Sequence, residues 1–198
     1  GTSGADRAAH LVLWNFVPAG SFQLSAGLLV DQLSILFVLL ITFVGSLIHV
    51  YSTGYMRDDP GYARYFAYLN LFLFFMLVLV LGRSLLVLFV GWEGVGLASY
   101  LLIGFWFQDP EKARAGKKAF ITNRVGDAGF LLGMFVLFQA AGTLEMDRVN
   151  AVFSTGAPAG FSASLIGVLL FVGATGKSAQ IPLHVWLPDA MEGPTPVS

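Results

Sequence analysis

Ser84-Leu-Leu-Val-Leu-Phe-Val-Gly-Trp-Glu-Gly-Val-Gly-Leu-Ala-Ser-Tyr-Leu-Leu-Ile-Gly-Phe-Trp106 decides the fold class. A bilayer core takes about 20 consecutive apolar helical residues. This stretch is long enough, and its only charge is Glu93. Glu93 comes nine residues after Ser84, so it stands about 14 Å into a span of about 30 Å. A Glu side chain is too short to reach the interface from there.

Working outward, four more stretches read as spans: residues 32–51, 65–81, 119–140 and 162–181, beside 84–106 itself. The fourth in chain order, 119–140, carries Arg124 and Asp127 one helical turn apart, on one face. The fifth carries Lys177 and runs into Pro182, which removes a donor to the Ser178 carbonyl and clashes with it. A helix broken there, loosened by Gly173 and Gly176, is expected to leave free carbonyls and room for water.

The whole chain agrees with this reading. Its 198 residues are 56% hydrophobic and only 12% charged, with a mean hydropathy of +0.74. Soluble domains carry about 25% charged residues, so a water-soluble globular fold is excluded. The net charge of −1 offers no basic surface to nucleic acid. With no cysteine, disulfides, zinc ribbons and iron–sulfur ligation are excluded too. No signal-peptide pattern is present. Gly1 in place of Met, and an end at Ser198 just after Pro194-Thr-Pro, predict a piece of a longer protein.

Residues 1–30 are too polar and broken to span. Leu11–Val17 and Phe22–Ser25 flank Pro18-Ala19-Gly20-Ser21, which predicts an extramembrane β-hairpin. The domains are therefore a hairpin segment, 1–30, and a transmembrane domain, 31–198. The fold class is an all-α polytopic membrane protein of about five spans, the last helix broken at Pro182. Glu145–Phe153 predicts a short surface helix. Lys and Arg set orientation. Arg57, Arg64, Lys112, Arg114, Lys117 and Lys118 fall in loops on one side, against Arg7, Arg83 and Arg148 on the other. This puts the hairpin outside and the C-terminus inside.

A charge at the bilayer centre costs about 2.5–3.5 kcal/mol on insertion scales, so Glu93, Arg124, Asp127 and Lys177 are the candidate site. Burial disfavours a charged amine and a neighbouring carboxylate favours it. Making or breaking a Glu93–Lys177 contact would therefore switch Lys177 between holding and releasing a proton. Milder readings stand beside this one: Arg124–Asp127 as a structural ion pair, and Lys177 reaching the inner interface as an anchor. His184, two residues past Pro182, is a candidate proton relay. His49 reads as an interfacial side chain. Gly91, Gly94 and Gly96 read as close helix packing. Trp14, Trp92, Trp106 and Trp186 read as interfacial aromatics. No nucleophile–base pair or metal-ligand cluster appears in the spans.

Gly91–Trp106, Asn123-Arg-Val-Gly-Asp127 and Gly176-Lys-Ser-Ala-Gln-Ile-Pro-Leu-His-Val-Trp-Leu-Pro-Asp-Ala-Met-Glu-Gly-Pro-Thr-Pro-Val-Ser198 strongly resemble the subunit L family of respiratory complex I, NADH-quinone oxidoreductase, called chain 5 in mitochondria. The resemblance runs from about Leu29 to the end. It implies an antiporter-like proton-translocating subunit at the distal end of the membrane arm, in a multi-pass bacterial inner-membrane setting. That family has two inverted repeats of five helices, and this chain would hold most of the first. The resemblance further implies that Glu93 is the essential membrane glutamate, Lys177 the broken-helix lysine and Asp127 an acidic neighbour, with Arg124 in the same motif. It implies no flavin, iron–sulfur cluster or nicotinamide in this chain. FMN, the clusters and quinone belong to other subunits, and the implied partners are the other membrane-arm subunits, above all the adjacent antiporter-like one, with the lipid bilayer and protons. A subunit of a multisubunit sodium/proton antiporter and a passive structural membrane subunit remain as alternatives.

Overall fold

The computed structural model describes residues 8–19 and 22–198. It is a bundle of antiparallel helices with a two-stranded sheet at one end. Strands β1 (Ala9–Ala19) and β2 (Phe22–Val30) pair antiparallel, Ala9 opposite Val30 and Ala19 opposite Phe22. Register shifts fall between Val12 and Trp14 and between Asn15 and Val17. The hairpin is thus longer than the expected strands. Its connecting residues, Gly20 and Ser21, and Arg7 lie outside the described residues.

Asp31 ends β2 and starts α1 (Gln32–Tyr55) through a capping box. Its Oδ1 accepts from Ser34 N at 2.8 Å, and its own N–H donates to Ser34 Oγ at 2.7 Å. The chain returns in α2 (Tyr62–Leu81) and turns at Gly82. It crosses again in α3 (Leu85–Ile103), capped by Ser84, and then in α4 (Pro110–Ala141). Asp109 and Pro110 start α4 well before residue 119. The basic stretch Lys112–Lys118, expected as a loop, is therefore the helix's first turns. Gly142, in the left-handed region at φ 68°, stops α4. The surface helix α5 (Met146–Phe153) forms where expected, and α6 (Ala163–Lys177) follows.

Helices α1 to α4 are long and apolar enough to cross a membrane, and α6 is a shorter apolar helix. It ends at Lys177, short of the expected 181 and before Pro182 is reached. Ala179 takes a left-handed φ of 51°, Gln180 N donates to Thr175 O at 2.9 Å, and Ala179 N to Gly176 O at 3.4 Å. That pair of bonds is a Schellman closure. Trp186 Nε1 donates to Gly176 O at 3.0 Å as well. Of the carbonyls at this break, those of Thr175 and Gly176 are therefore occupied. Two 3-10 turns, Leu183–Trp186 and Asp189–Glu192, then fold back against α4, where Lys118 Nζ lies 2.7 Å from Asp189.

Small residues bring the helices together. A β-carbon on Gly45 would meet Leu73 at 2.8 Å, and one on Gly94 would overlap the Phe75 ring. Between α4 and α6, Gly126 faces Gly176 Cα at 3.1 Å and Gly173 faces Phe130 Cβ at 2.6 Å by the same construction. Gly91 and Gly94 are thus close-packing positions against α2, as the sequence suggests. His49 sits between two helices. Its Nδ1 contacts Gly45 O at 2.7 Å, and its ring tilts against Phe66 between α1 and α2.

The two ends of the bundle are tied differently. At the hairpin end, Arg83 N donates to Gly27 O at 3.0 Å and Leu85 N to Leu144 O at 2.9 Å. There Glu145 accepts from Ser25 Oγ and faces both Arg83 and Arg148. At the other end, Trp106 Nε1 donates to Asp59 at 2.8 Å, Lys112 lies over the Trp106 ring and Arg64 over the Phe105 ring. Trp106 therefore behaves as the end-of-span aromatic expected of it.

Candidate functional site

Glu93, Arg124, Asp127 and Lys177 come from α3, α4 and α6 and meet where these helices pack, Asp127 and the Lys177 ammonium buried and Glu93 and Arg124 partly exposed. The α4–α6 glycine seam brings the C-terminal turn of α6 against the middle of α4. On α3, Gly96 leaves room where any side chain would collide. A β-carbon there would stand 3.0 Å from Arg124 Nη2 and closer still to Lys177 Nζ. Gly96 is thus the member of the glycine group that makes space for charge instead of for a helix.

Arg124 is the hub. It forms an ion pair with Glu93, and its Nη1 lies 3.4 Å from Asp127 Oδ2. Its guanidinium also sits 4.3 Å from the centre of the Phe120 ring. The expected direct partner of Glu93 was Lys177, but the structure places Arg124 there. The reason is geometric: Arg124 has the reach and the planar fork to serve two carboxylates at once. The Arg124–Asp127 pair expected from i,i+3 spacing is present, but it is one arm of a three-member network.

Asp127 is 2% exposed. Trp92 donates its indole N–H to Asp127 Oδ1 at 2.5 Å, while Oδ2 makes no hydrogen bond. Lys177 Nζ is buried without a hydrogen-bond partner among the described residues and lies 5.7 Å from the centre of the Trp92 ring. It does not reach out to the interface as an anchor. Asn123, on the next turn of α4, is buried too and donates to Ala119 O at 2.8 Å.

His184 is not brought into this group. It stands exposed on the 3-10 turn Leu183–Trp186. Two residues have roles that the sequence reading does not include. Trp92, expected among the interfacial aromatics, lies mid-helix and holds Asp127. Its position beside Glu93, far from either end of the span, is the available signal. Trp186 caps Gly176 O, and nothing in its spacing points to that bond.

Chemically the cluster holds two carboxylates, an amine and a guanidinium, with Asp127 and Lys177 Nζ buried and the Glu93 and Arg124 side chains 31% and 29% exposed. The carboxylates and the amine can exchange protons, while Arg124 keeps its charge throughout.

Residues 82–198 match a family model described as NADH:quinone oxidoreductase/Mrp antiporter, TM, and residues 14–66 match one described as NADH-Ubiquinone oxidoreductase (complex I), chain 5 N-terminus. The chain is 57% identical over 200 residues to NADH-quinone oxidoreductase subunit L of Mycobacterium tuberculosis, covering 100% of this chain and 31% of that protein. It is 47% identical over 199 residues to NAD(P)H-quinone oxidoreductase chain 5 of Synechocystis, covering 98% and 29%. Among solved structures it is similar to the Mrp complex from Dietzia sp., with a TM-score of 0.82 and 30% identity, over 96% of this chain and 20% of that one. The chain thus spans under a third of the length of these relatives.

Proposed function

We infer that this chain, which belongs to the NADH:quinone oxidoreductase/Mrp antiporter transmembrane family, is part of a proton-translocating membrane subunit of a NADH-quinone oxidoreductase. It is a multi-pass membrane chain, and the bacterial inner membrane is its proposed location. Electron transfer from NADH to quinone takes place in other subunits, which hold FMN and the iron–sulfur clusters. This chain contributes a segment of the proton path and binds none of those groups. Its proposed neighbours are the other membrane-arm subunits, with an adjacent antiporter-like subunit foremost.

The observation that carries this reading is the meeting of Glu93, Arg124, Asp127 and Lys177 inside an apolar bundle. Four loop residues would have given the same charges without the insertion cost. In the arrangement observed, Arg124 neutralises Glu93 and leans on Asp127, while Lys177 is free to take a new partner. A shift of Arg124 toward Asp127 would release Glu93 to Lys177. Moving one charge through the membrane potential takes about 2.3 kcal/mol per 100 mV, a scale that one or two changes of ion-pair partner supply. His184 is proposed only as a route onward to the inner side.

The test uses the full-length protein assembled in its complex in membrane vesicles. Glu93→Gln and Lys177→Ala should each lower NADH-driven acidification about tenfold, the effect of one pKa unit of misplaced proton affinity, with assembly intact. Normal pumping by both variants would leave the charges merely structural. The likeness to the Mrp complex favours a second reading, a sodium/proton antiporter subunit. The subunits that copurify with the full-length protein, quinone-reductase or antiporter, decide between the two.

A further inference from the structure

Trp92 is the side chain of the cluster that the proton-path reading does not use. It and Gly96 lie one turn apart on the same face of α3. Gly96 touches the Lys177 ammonium, and the Trp92 ring centre lies 5.7 Å from it. From the same ring, Nε1–H donates to Asp127 Oδ1. The ring is fixed from behind by Phe130, which stacks on it at 5.2 Å and 28°, and Phe130 is itself one turn from Asp127 on α4.

Asp127 and Lys177 are opposite charges in one small volume, and each has unmet hydrogen-bonding capacity: Oδ2 on the acid and Nζ on the amine. They form no ion pair among the described residues. The group in contact with both is the indole. It occupies one carboxylate oxygen with its N–H and presents its electron-rich face to the ammonium, an interaction that stabilises a cation without donating a proton to it.

We propose that Trp92 is a positioning residue for proton transfer, holding the Asp127 carboxylate off the Lys177 ammonium and releasing both when its ring turns. The proposal rests on the proton-path reading of Glu93 and Lys177. With the indole in place, Asp127 is committed to Trp92 and Arg124, and Lys177 must exchange its proton elsewhere. Rotation of one side chain removes the N–H from Asp127 and the ring from Lys177 together. The acid–amine contact then forms as a single event.

The experiment uses the full-length protein in its complex. Trp92→Phe keeps a ring beside Lys177 and removes the N–H. Protons pumped per NADH oxidised are measured across a pH series beside Asp127→Asn and the double variant. Trp92→Phe should lower this ratio about tenfold, the scale of one hydrogen bond to a charged group, and displace its pH profile. The double variant should be no worse than Asp127→Asn alone, because Trp92 acts through Asp127. A wild-type ratio and profile for Trp92→Phe, or losses that simply multiply in the double variant, overturn the proposal. If Trp92→Phe does not assemble, benzothienylalanine at position 92, which has the shape of Trp without the N–H, is judged by the same outcomes. Normal pumping by Glu93→Gln and Lys177→Ala would instead sink the proton-path reading, and the two failures are distinguishable.

Discussion

Gly96 lies against the ammonium of Lys177: a β-carbon on Gly96 would stand 2.6 Å from Lys177 Nζ. Only a hydrogen fits between α3 and the lysine, and the same hydrogen faces Arg124 Nη2. The absence of a side chain at one position thus lets two cations share the interior with Glu93 and Asp127.

Gly96→Ala should therefore displace Lys177, Arg124 or both. Overpacking of this kind costs about 1–3 kcal/mol. Because both neighbours are ends of long side chains, the helices should stay assembled while the ion pairs rearrange. The expected outcome is a full-length complex of normal abundance, by native gel, whose NADH-driven acidification falls sharply. Unchanged acidification would show that the close approach is unimportant.

Gly126→Val tests the seam that brings Lys177 to the cluster. The α6 backbone lies directly against this position: Gly176 Cα at 3.1 Å and Val172 O at 3.2 Å from a β-carbon there. Backbone cannot swing away as a lysine can, so α4 and α6 must separate. The variant should lose thermal stability and pumping together, whereas Gly96→Ala loses pumping alone. Measuring both quantities for both variants checks the contrast.

Tyr65 and Ser52 are both fully buried, and their hydroxyls lie 3.0 Å apart. Ser52 Oγ also donates to Ile48 O at 2.7 Å, so Tyr65 is the donor in the pair. Tyr65→Phe leaves Ser52 satisfied and should cost about 0.5–1.5 kcal/mol. It should lower the melting temperature of the purified protein by a few degrees and leave proton translocation as it was. A loss of pumping would assign this hydroxyl a part in the path.

Asp31 lies outside the spans, where the hairpin joins α1. The Ser34 backbone N–H holds its carboxyl below the ordinary value of 3.8, with the Ser34 hydroxyl helping. The charged form is favoured by folding, so the cap's contribution is complete above pH 3.8. It is lost as pH falls through the lower folded value. Asp31→Asn keeps an N-cap acceptor and removes the titration. Melting temperature followed from pH 6 down to pH 3 should fall more steeply for the native protein than for this variant. Parallel curves would exclude the cap as a source of acid sensitivity.

By itself the sequence determined that the chain has several helices apolar enough to cross a membrane, because apolar length is a local property, but it placed neither the start of α4 at Pro110 nor the end of α6 at Lys177. It also singled out the ionisable residues of the site, because a charge within an apolar run is conspicuous whatever surrounds it. Which charge meets which was decided by tertiary structure. Arg124 has no neighbour in sequence that marks it as the partner of Glu93, and that pairing exists only because α4 packs against α3. The roles of Trp92 and Gly96 were decided in the same way. An indole mid-helix and one glycine among several take their meaning from what the α4–α6 seam places opposite them. The end of α6 shows the same division. Pro182 announced a break, but the left-handed turn at Ala179 and the Trp186 N–H on Gly176 O set where the helix stops. Backbone groups bond to whatever partners the fold brings within reach.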